Sequence, residues 1–168
     1  MKPFRLWIYR CFTLCLPETR CFRCKAFLLR WAGAKIGRNV RINSSAIFSG
    51  NGALEIGDNV WVGAGDFICP IGQSRIIIGD NVDIGPQVML LTGSHEVDPL
   101  GLHIGGKGGS ASVKVGAGCW LCARTIILPG VELAEKTVVG AGAVVTTSVT
   151  TPASLVAGVP ATTRKKYG

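Results

Sequence analysis

The chain has 168 residues, 48% hydrophobic and 17% charged, which excludes a disordered segment and allows one core without disulfide or metal support. The sequence has no run of about 18 apolar residues, which excludes a conventional membrane-spanning helix. Eighteen basic and ten acidic residues give a net charge of +8. The nine basic residues and one acidic residue within 1–38 account for that whole excess, and the net charge of residues 39–168 is zero. Because the body of the protein is not basic, we expect no nucleic-acid partner.

Residues 1–35 are predicted to form a basic helical segment with two stretches. Apolar residues at 4–16 are interspersed with Arg5 and Arg10 and end at Pro17, and residues 20–31 have a second helical pattern. Such segments bind anionic membrane surfaces, so residues 1–30 are a candidate for peripheral contact with the inner membrane surface. The alternative is a cap on the domain that follows. We expect the second stretch to be the cap and the first the membrane contact.

Seven cysteines include four near the amino terminus, at positions 11, 15, 21 and 24. The spacing of the last two suits zinc, but the surrounding pattern is helical rather than that of a tight metal-binding turn, so we expect no metal. Because the count is odd and arginines interrupt the first apolar stretch, we expect no cleavable signal, reduced thiols and a cytoplasmic protein.

From residue 36 onward, an aliphatic residue recurs every six positions. Clear units are IGDNVW (56–61), IGDNVD (78–83), VGAGCW (115–120) and VGAGAV (139–144). A period of six would spread these residues around an α-helix, and Val or Ile alternating with Gly, Asn and Asp favours short strands and turns. Three units can form one triangular coil of about 18 residues, and stacked coils bury a continuous aliphatic column. The sequence therefore predicts an all-β solenoid, a parallel β-helix of about five triangular coils.

Grouping the units by threes predicts where the solenoid carries its insertions. The predicted coils span 36–55, 56–77, 78–114, 115–132 and 133–150. In the first three coils only the third side is over-long, so the insertions should stack on one corner of the prism. The largest is a long loop at about 96–112, directly after TGSH (92–95). Insertions on one side of a solenoid often mark the binding face, so we expect the site beside this loop.

The repeat, which covers residues 36–161, resembles the hexapeptide-repeat acyltransferases. LLRWAGAKIG (28–37), TGSHEVDP (92–99) and AGVPA (157–161) are most similar to the polysaccharide O-acetyltransferases of the colanic-acid type. The resemblance implies a homotrimer, with acyl-coenzyme A and acceptor bound in clefts between neighbouring prisms. It also implies that the β-helix is left-handed, since periodicity does not reveal the hand.

The chain has two histidines, His95 and His103. Acyl transfer to a hydroxyl needs a base near neutral pH, which suits histidine, and the resemblance gives this catalytic role to His95 in TGSH. Glu96 and Asp98 are candidate catalytic partners that would orient its ring, with a backbone carbonyl as the alternative. His103, in the glycine-rich loop, is a candidate substrate contact or a solvated loop residue.

Asp66 departs from the repeat. It occupies the fifth position of VGAGDF (62–67), where the other units have small or apolar residues. A carboxylate there is costly unless it is paired or faces a cleft, and in related sugar acetyltransferases a polar residue at the comparable place contacts the acceptor. Asp66 is therefore a candidate substrate-binding residue, with a structural turn aspartate as the alternative.

The resemblance further implies that the pantetheine arm of the coenzyme lies along a prism edge beside small residues, where backbone amides are accessible. The cofactor-binding candidates, assigned by motif, are Trp120, Ala123, Ala141, Thr146 and Thr147. In the carboxy-terminal segment, Arg164 is a candidate contact for the phosphates of the coenzyme, and a solvated basic tail is the alternative.

The predicted organisation is a helical segment at 1–35, a β-helix at 36–161 and a basic tail at 162–168. The predicted function is transfer of an acetyl group from acetyl-coenzyme A to a hydroxyl of a sugar or polysaccharide precursor, by direct attack in a ternary complex. Two alternatives stay open: a non-catalytic β-helix that serves as a scaffold, and acetyl transfer to serine or another small acceptor.

Overall fold

The structure, a computed structural model, describes residues 1–167. Two helices, α1 (Pro3–Thr13) and α2 (Phe22–Trp31), precede short strands that wind into a three-sided prism. Within the coils, up to residue 145, each strand lies on a different side from the next coil strand, and strands of successive coils pair in parallel within each side. This architecture confirms the predicted β-solenoid of about five triangular coils, whereas its left-handedness stays a prediction.

Three sheets, here called A, B and C in the order in which the chain visits them, form the sides of the prism. Sheet A contains β1 (Lys35–Ile36), β4 (Ala53–Ile56), β7 (Arg75–Ile78), β12 (Val113–Val115) and β15 (Glu132–Leu133). Sheet B contains β2 (Arg41–Ile42), β5 (Trp61–Val62), β8 (Asp83–Ile84), β13 (Trp120–Leu121), β16 (Val138–Val139), β18 (Ser154–Ala157) and β19 (Thr162–Lys166). Sheet C contains β3 (Ile47–Phe48), β6 (Phe67–Cys69), β9 (Met89–Leu91), β14 (Ile126–Ile127) and β17 (Val144–Val145).

The aliphatic residues of the repeat fill the inside of the prism. Successive residues of a strand point to opposite faces, so each short strand directs one side chain inward and its neighbour outward. In sheet B the inward column has almost no exposed surface, and its members are Ile42, Val62, Ile84, Leu121 and Val139. The six-residue spacing therefore marks the core, as predicted.

The turns between sheets explain two other features of the repeat. Asn39, Asn59 and Asn81 stack at the corner between sheets A and B with φ values of 52°, 58° and 57°, a left-handed conformation that asparagine tolerates. Their side-chain amides form a ladder with donor–acceptor distances of 3.0 and 3.1 Å. At Gly63 an added Cβ would lie 2.7 Å from the carbonyl carbon of Gly85, so successive coils approach too closely for a side chain there.

The insertions stack on one corner, as predicted. This is the C–A corner, where the chain passes from sheet C to sheet A, and the segments on it include 49–52, 70–74 and 92–112. The longest differs from the predicted loop, because most of it is an antiparallel hairpin of β10 (Gly93–Val97) and β11 (Gly105–Ser110). The two extended segments satisfy each other's backbone hydrogen bonds, which a long open loop would leave to water.

Helix α1 packs against the first coil. It buries Leu6, Tyr9 and Thr13, and the ring of Tyr9 contacts Phe48 edge-on at 5.7 Å between centroids. Helix α1 therefore also acts as a cap, a role that we expected for the second stretch, and the membrane contact expected of the first stretch stays a prediction. The open end of a solenoid needs cover for its apolar interior, and both helices contribute to that cover. No helix within 1–167 is long and apolar enough to cross a membrane.

Helix α2 also caps the first coil and is fixed there by a buried lysine. The Lys25 ammonium group donates hydrogen bonds to the carbonyl oxygens of Pro17, Glu18 and Ile42 at 3.1, 2.8 and 3.1 Å. These bonds join the linker between the helices to β2. Burial of a charged group is tolerable here because all three protons of the ammonium have partners.

The carboxy-terminal residues are not a free tail. Strand β19 pairs antiparallel with β18, and its residues are exposed. Residues 162–166 of the predicted tail thus extend sheet B at the end opposite the helices, and Gly168 lies outside the described residues.

Candidate active site

His95 lies on β10, at the base of the hairpin on the C–A corner, and its side chain is exposed. Its Nδ1 is 2.9 Å from the carbonyl oxygen of Gly106 on β11. Because a carbonyl oxygen can only accept a hydrogen bond, Nδ1 carries the proton in this pair, and Nε2 of the neutral ring keeps a free lone pair. The backbone thus orients the imidazole in the tautomer that a general base requires.

Two open depressions meet at His95. One, of about 530 Å³, is lined by Phe67 and Leu91 on the side of sheet C. The other, of about 420 Å³, is lined by Pro129 and Thr146 of the following coils. The imidazole borders both, so two reactants could approach it from different directions. A larger groove of about 960 Å³ along the outer face of sheet A contains none of the predicted site residues.

The two predicted carboxylate partners do not orient the ring. Within residues 1–167, neither Glu96 nor Asp98 forms a hydrogen bond with His95. Glu96 lines the smaller depression, and Asp98 accepts a hydrogen bond from the N–H of Leu100 at 3.2 Å within the hairpin turn. The prediction of a catalytic carboxylate partner is therefore corrected to the alternative, a backbone carbonyl.

His103 lies in the exposed tip of the hairpin, between β10 and β11. It lines neither depression at His95. The structure therefore does not bring the two histidines together within this chain.

Asp66 is fully buried inside the corner between sheets B and C. Its Oδ2 accepts a hydrogen bond from the N–H of Gly63 at 2.7 Å, and its Oδ1 accepts one from the N–H of Val88 at 2.9 Å. Burial raises the pKa of this carboxyl group to about 7, although both backbone hydrogen bonds act to lower it. Since Asp66 has no exposed surface and both oxygens are engaged, the predicted acceptor contact is corrected to the structural alternative.

The cofactor-binding candidates lie on two different edges of the prism. Thr146 lines the depression beside His95 at the C–A corner, and the exposed Thr147 follows it. Ala123 and Ala141 lie instead on the B–C edge, defined by residues 122–125 and 140–143, where the N–H of Gly142 donates to the carbonyl oxygen of Ala123 at 2.9 Å. One protomer therefore does not assemble all of them around His95.

Two further candidates lie on sheet B. Arg164 donates from Nε to the carbonyl oxygen of Ala157 at 3.3 Å, beside the end of β18. Residues 158–161 cross the top of the B–C edge, because Gly158 and Ala161 both form backbone hydrogen bonds with Val144. Arg164 is therefore close to the top of the edge that carries Ala123 and Ala141. Trp120 is half-exposed on the outer face of sheet B.

Sequence reasoning missed the residue that orients His95. Gly106 contributes only its carbonyl group, and no pattern of side chains in a sequence predicts which backbone carbonyl will accept a hydrogen bond. Leu128 and Pro129 were also missed, although the repeat places them on the same corner as His95 in the next coil. Within residues 1–167, no group of three or more His, Cys, Asp or Glu side chains could hold a metal ion.

Known acetyltransferases are similar to this chain in sequence. Residues 112–147 match the family described as the hexapeptide repeat of succinyl-transferase. The chain is 37% identical over 120 residues to the putative colanic acid biosynthesis acetyltransferase WcaF of Escherichia coli K12, covering 71% of this chain and 63% of that protein. It is 31% identical over 133 residues to the galactoside O-acetyltransferase of the same organism, covering 79% of this chain and 64% of that protein. The chain thus spans less than two thirds of either relative.

A solved structure shows the same fold at lower sequence identity. A hexapeptide-repeat-containing acetyltransferase from Vibrio cholerae, determined with acetyl-coenzyme A, superposes with a TM-score of 0.67 at 21% identity, over 97% of this chain and 85% of that one. The six-residue units of the sequence, the triangular coils of the structure and these similarities all indicate a hexapeptide-repeat solenoid. Residues 112–147 therefore carry the hexapeptide repeat of that family, and the chain as a whole is similar to hexapeptide-repeat acetyltransferases.

Proposed function

We propose that this chain is an O-acetyltransferase that moves an acetyl group from acetyl-coenzyme A to a hydroxyl of a sugar or polysaccharide precursor. The observation that carries the proposal is the bond between His95 Nδ1 and the carbonyl oxygen of Gly106, which leaves Nε2 free beside two depressions. The names of the two Escherichia coli relatives support the acetyl group and the saccharide acceptor.

The proposed reaction is one direct transfer in a ternary complex. As the acceptor oxygen attacks the thioester carbonyl carbon, its proton moves to Nε2 of His95, and a tetrahedral intermediate with an oxyanion forms. Collapse of the intermediate breaks the carbon–sulfur bond and releases the thiolate of coenzyme A. The imidazolium then returns the proton to that thiolate, so the products are the acetyl ester and the free thiol. Gly106 stabilises the imidazolium by accepting from Nδ1 throughout.

A covalent acyl-enzyme is disfavoured by the state of the nearest thiol. Cys69 lines the larger depression beside His95, but it is buried, and burial raises the pKa of its thiol. A buried thiol is a poor nucleophile because the thiolate is the reactive form. Direct attack by the acceptor therefore fits this site better than acyl transfer through cysteine.

The outer face of sheet C supports the proposed homotrimer. The outward residues stack into one uncharged ladder, and its members are Ile47, Phe67, Met89, Ile126 and Val144. The corresponding column of sheet A alternates charges instead, with Lys35, Glu55, Ile77, Lys114 and Glu132. A continuous apolar strip on one side only is the composition expected of an interface between subunits.

Three-fold packing through sheet C would also complete the site. If three prisms turn this face toward a common axis, the C–A corner of each comes beside the B–C edge of its neighbour. His95 and Thr146 of one protomer would then face Ala123 and Ala141 of the next. The division of the cofactor candidates between two edges is what such a cleft between protomers requires.

A thiol-release assay with acetyl-coenzyme A tests the proposal. Purified protein is mixed with acetyl-coenzyme A and a panel of saccharides, with serine as the alternative acceptor. We expect saccharide-dependent release of coenzyme A, and a decrease in kcat of about 10²- to 10⁴-fold in His95→Ala. His103→Ala is the matched histidine control and should stay close to wild type. Full activity in a folded His95→Ala variant would refute the assignment, and absence of acetyl-coenzyme A binding would favour the scaffold alternative.

The cellular setting completes the proposal. We propose a cytoplasmic protein whose residues 1–30 contact the inner face of the membrane, where precursors of surface polysaccharides would be available to it. The amphipathic composition of these residues supports this setting.

A further inference from the structure

Both amino-terminal helices expose large apolar side chains to solvent at the end of the prism. Helix α1 buries Leu6 and Tyr9, and its opposite side, about 160° around the helix, carries Phe4 and Trp7 with 72% and 62% of their surface exposed. These two rings stack on each other at 6.1 Å between centroids. An exposed pair of stacked aromatic rings has no partner within the described chain, residues 1–167.

Helix α2 contributes the second half of this surface. It buries Ala26 and Leu29 toward the coil, whereas Phe27 on its outer side is 65% exposed and Trp31 is 39% exposed. The Arg5 guanidinium lies 4.8 Å from the centre of the Trp31 ring and donates a hydrogen bond to the carbonyl oxygen of Trp31 at 2.8 Å, which joins the two helices. We call this surface the cap face and define it by Phe4, Trp7, Leu14, Phe27 and Trp31.

The charge around the cap face is strongly positive. Residues 1–34 contain seven basic residues and one acidic residue, a net charge of +6. Of the basic residues, Lys2, Arg10 and Arg23 are exposed, and within residues 1–167 none of these three pairs with a carboxylate. The single acidic residue, Glu18, is turned toward Ser45 of the first coil. The cap face is therefore a set of apolar rings with unneutralised cations near them.

We propose that the cap face docks on an anionic lipid surface, with its aromatic rings in the headgroup region and its basic residues on lipid phosphates. Exposed Trp and Phe combined with Lys and Arg match that environment, in which one side of the contact is apolar and the other is charged and wet. A second copy of this chain fits the cap face poorly, because apposing two cap faces would bring together two segments that each have a net charge of +6. The inference gives the membrane contact of the proposed function specific residues and an orientation.

The orientation follows from where the helices lie. Both contact the first coil, through pairs such as Tyr9 with Phe48 and Lys25 with Ile42, so the prism would stand with its long axis away from the bilayer. If the proposed trimer forms around an axis parallel to the prisms, all three cap faces lie at the same end. Three weak contacts in one plane then act together and strengthen attachment without any new contact.

Vesicle sedimentation tests the proposal with the full chain. Wild-type protein is mixed with vesicles of phosphatidylcholine alone and of phosphatidylcholine with phosphatidylglycerol, at low and high salt. We expect sedimentation with the anionic vesicles that weakens as salt increases, and little with phosphatidylcholine alone. The variant Phe4→Ser/Trp7→Ser/Phe27→Ser should lose at least roughly tenfold in partitioning, and Arg10→Gln/Arg23→Gln a similar factor.

A matched control removes apolar surface elsewhere. Leu100→Ser/Leu102→Ser changes two side chains of the hairpin tip that are 97% and 94% exposed, and it should bind anionic vesicles like wild type. The proposal is overturned if wild type stays in the supernatant, if the triple variant sediments undiminished, or if the triple variant changes only the oligomeric state. All substituted residues are exposed, so folding should persist, and circular dichroism checks it.

The same variants separate this inference from the proposed function. Thiol release without vesicles should be unaffected in the triple variant, because the cap face lies at the end of the prism, away from His95. Loss of vesicle binding with acetyl transfer retained supports the inference. Absence of acetyl transfer in a wild-type protein that still sediments with anionic vesicles would refute the proposed function alone.

Discussion

Substitution of the buried Asp66 by asparagine should change how stability depends on pH. The pKa of this carboxyl group is raised from 3.8 to about 7 by burial, so the native state holds the proton more tightly than the unfolded chain does. The stabilisation is fully present below about pH 4, where both states are protonated, and it is lost as pH rises toward 7. The difference between the two pKa values corresponds to about 4 kcal/mol, of which about 2.5 kcal/mol falls between pH 5 and 8.

Urea unfolding of wild type and Asp66→Asn at pH 5 and pH 8, at one protein concentration, measures this effect. The amide group cannot accept both backbone N–H groups, so the variant carries a constant penalty that is the same at both pH values. The pH-dependent part should appear as a relative gain in stability of the variant of about 2.5 kcal/mol at pH 8. Asp83→Asn, on the exposed outer face of sheet B, is the control and should differ from wild type by less than about 0.5 kcal/mol. A wild-type-to-variant difference that does not change with pH would refute the reasoning.

Three further changes test the cap, the interface and the cofactor edge. Lys25→Met removes the three hydrogen bonds of a buried ammonium group and should lower the free energy of unfolding, measured in urea, by about 1–3 kcal/mol. Lys35→Met removes an exposed ion pair with Glu55 and should lower it by less than about 1 kcal/mol. Met89→Glu places a charge in the ladder of sheet C and should reduce the molar mass measured by light scattering. Ile77→Glu on sheet A is the control and should leave the molar mass unchanged. If Met89→Glu were still a trimer, the proposed interface would be contradicted. Ala141→Leu should raise KM for acetyl-coenzyme A roughly tenfold. Ala117→Leu at the A–B corner is the control and should leave KM unchanged. Equal KM values for the two variants would show that Ala141 is not part of the cofactor site.

The local pattern of the sequence was sufficient for the coil. A residue such as Ile84 or Leu121 is buried because it recurs at the same place in a six-residue unit, and that spacing is visible without any long-range information. The same regularity located the corner that carries the insertions. His95 was selected as a candidate base because it is a histidine next to the longest insertion and because the resemblance gives the catalytic role to that position.

The tertiary structure decided what each polar group faces. Asp66 broke the pattern, but only the stacked coils show that its oxygens accept from Gly63 and Val88 rather than opening to a cleft. Gly106 became the partner of His95 through the pairing of β10 with β11. The register of that pairing joins segments about ten residues apart, and the six-residue repeat does not predict it.

By itself, the sequence determined the solenoid and its inward aliphatic column, because burial in a coiled repeat is periodic and short-range. Only the tertiary structure decided the tautomer of that histidine, the inward use of Asp66 and the packing of α1 on the first coil. These features depend on backbone groups and surfaces that meet across different segments, and hydrogen-bond direction and burial at such meetings are properties of the assembled chain rather than of any one unit.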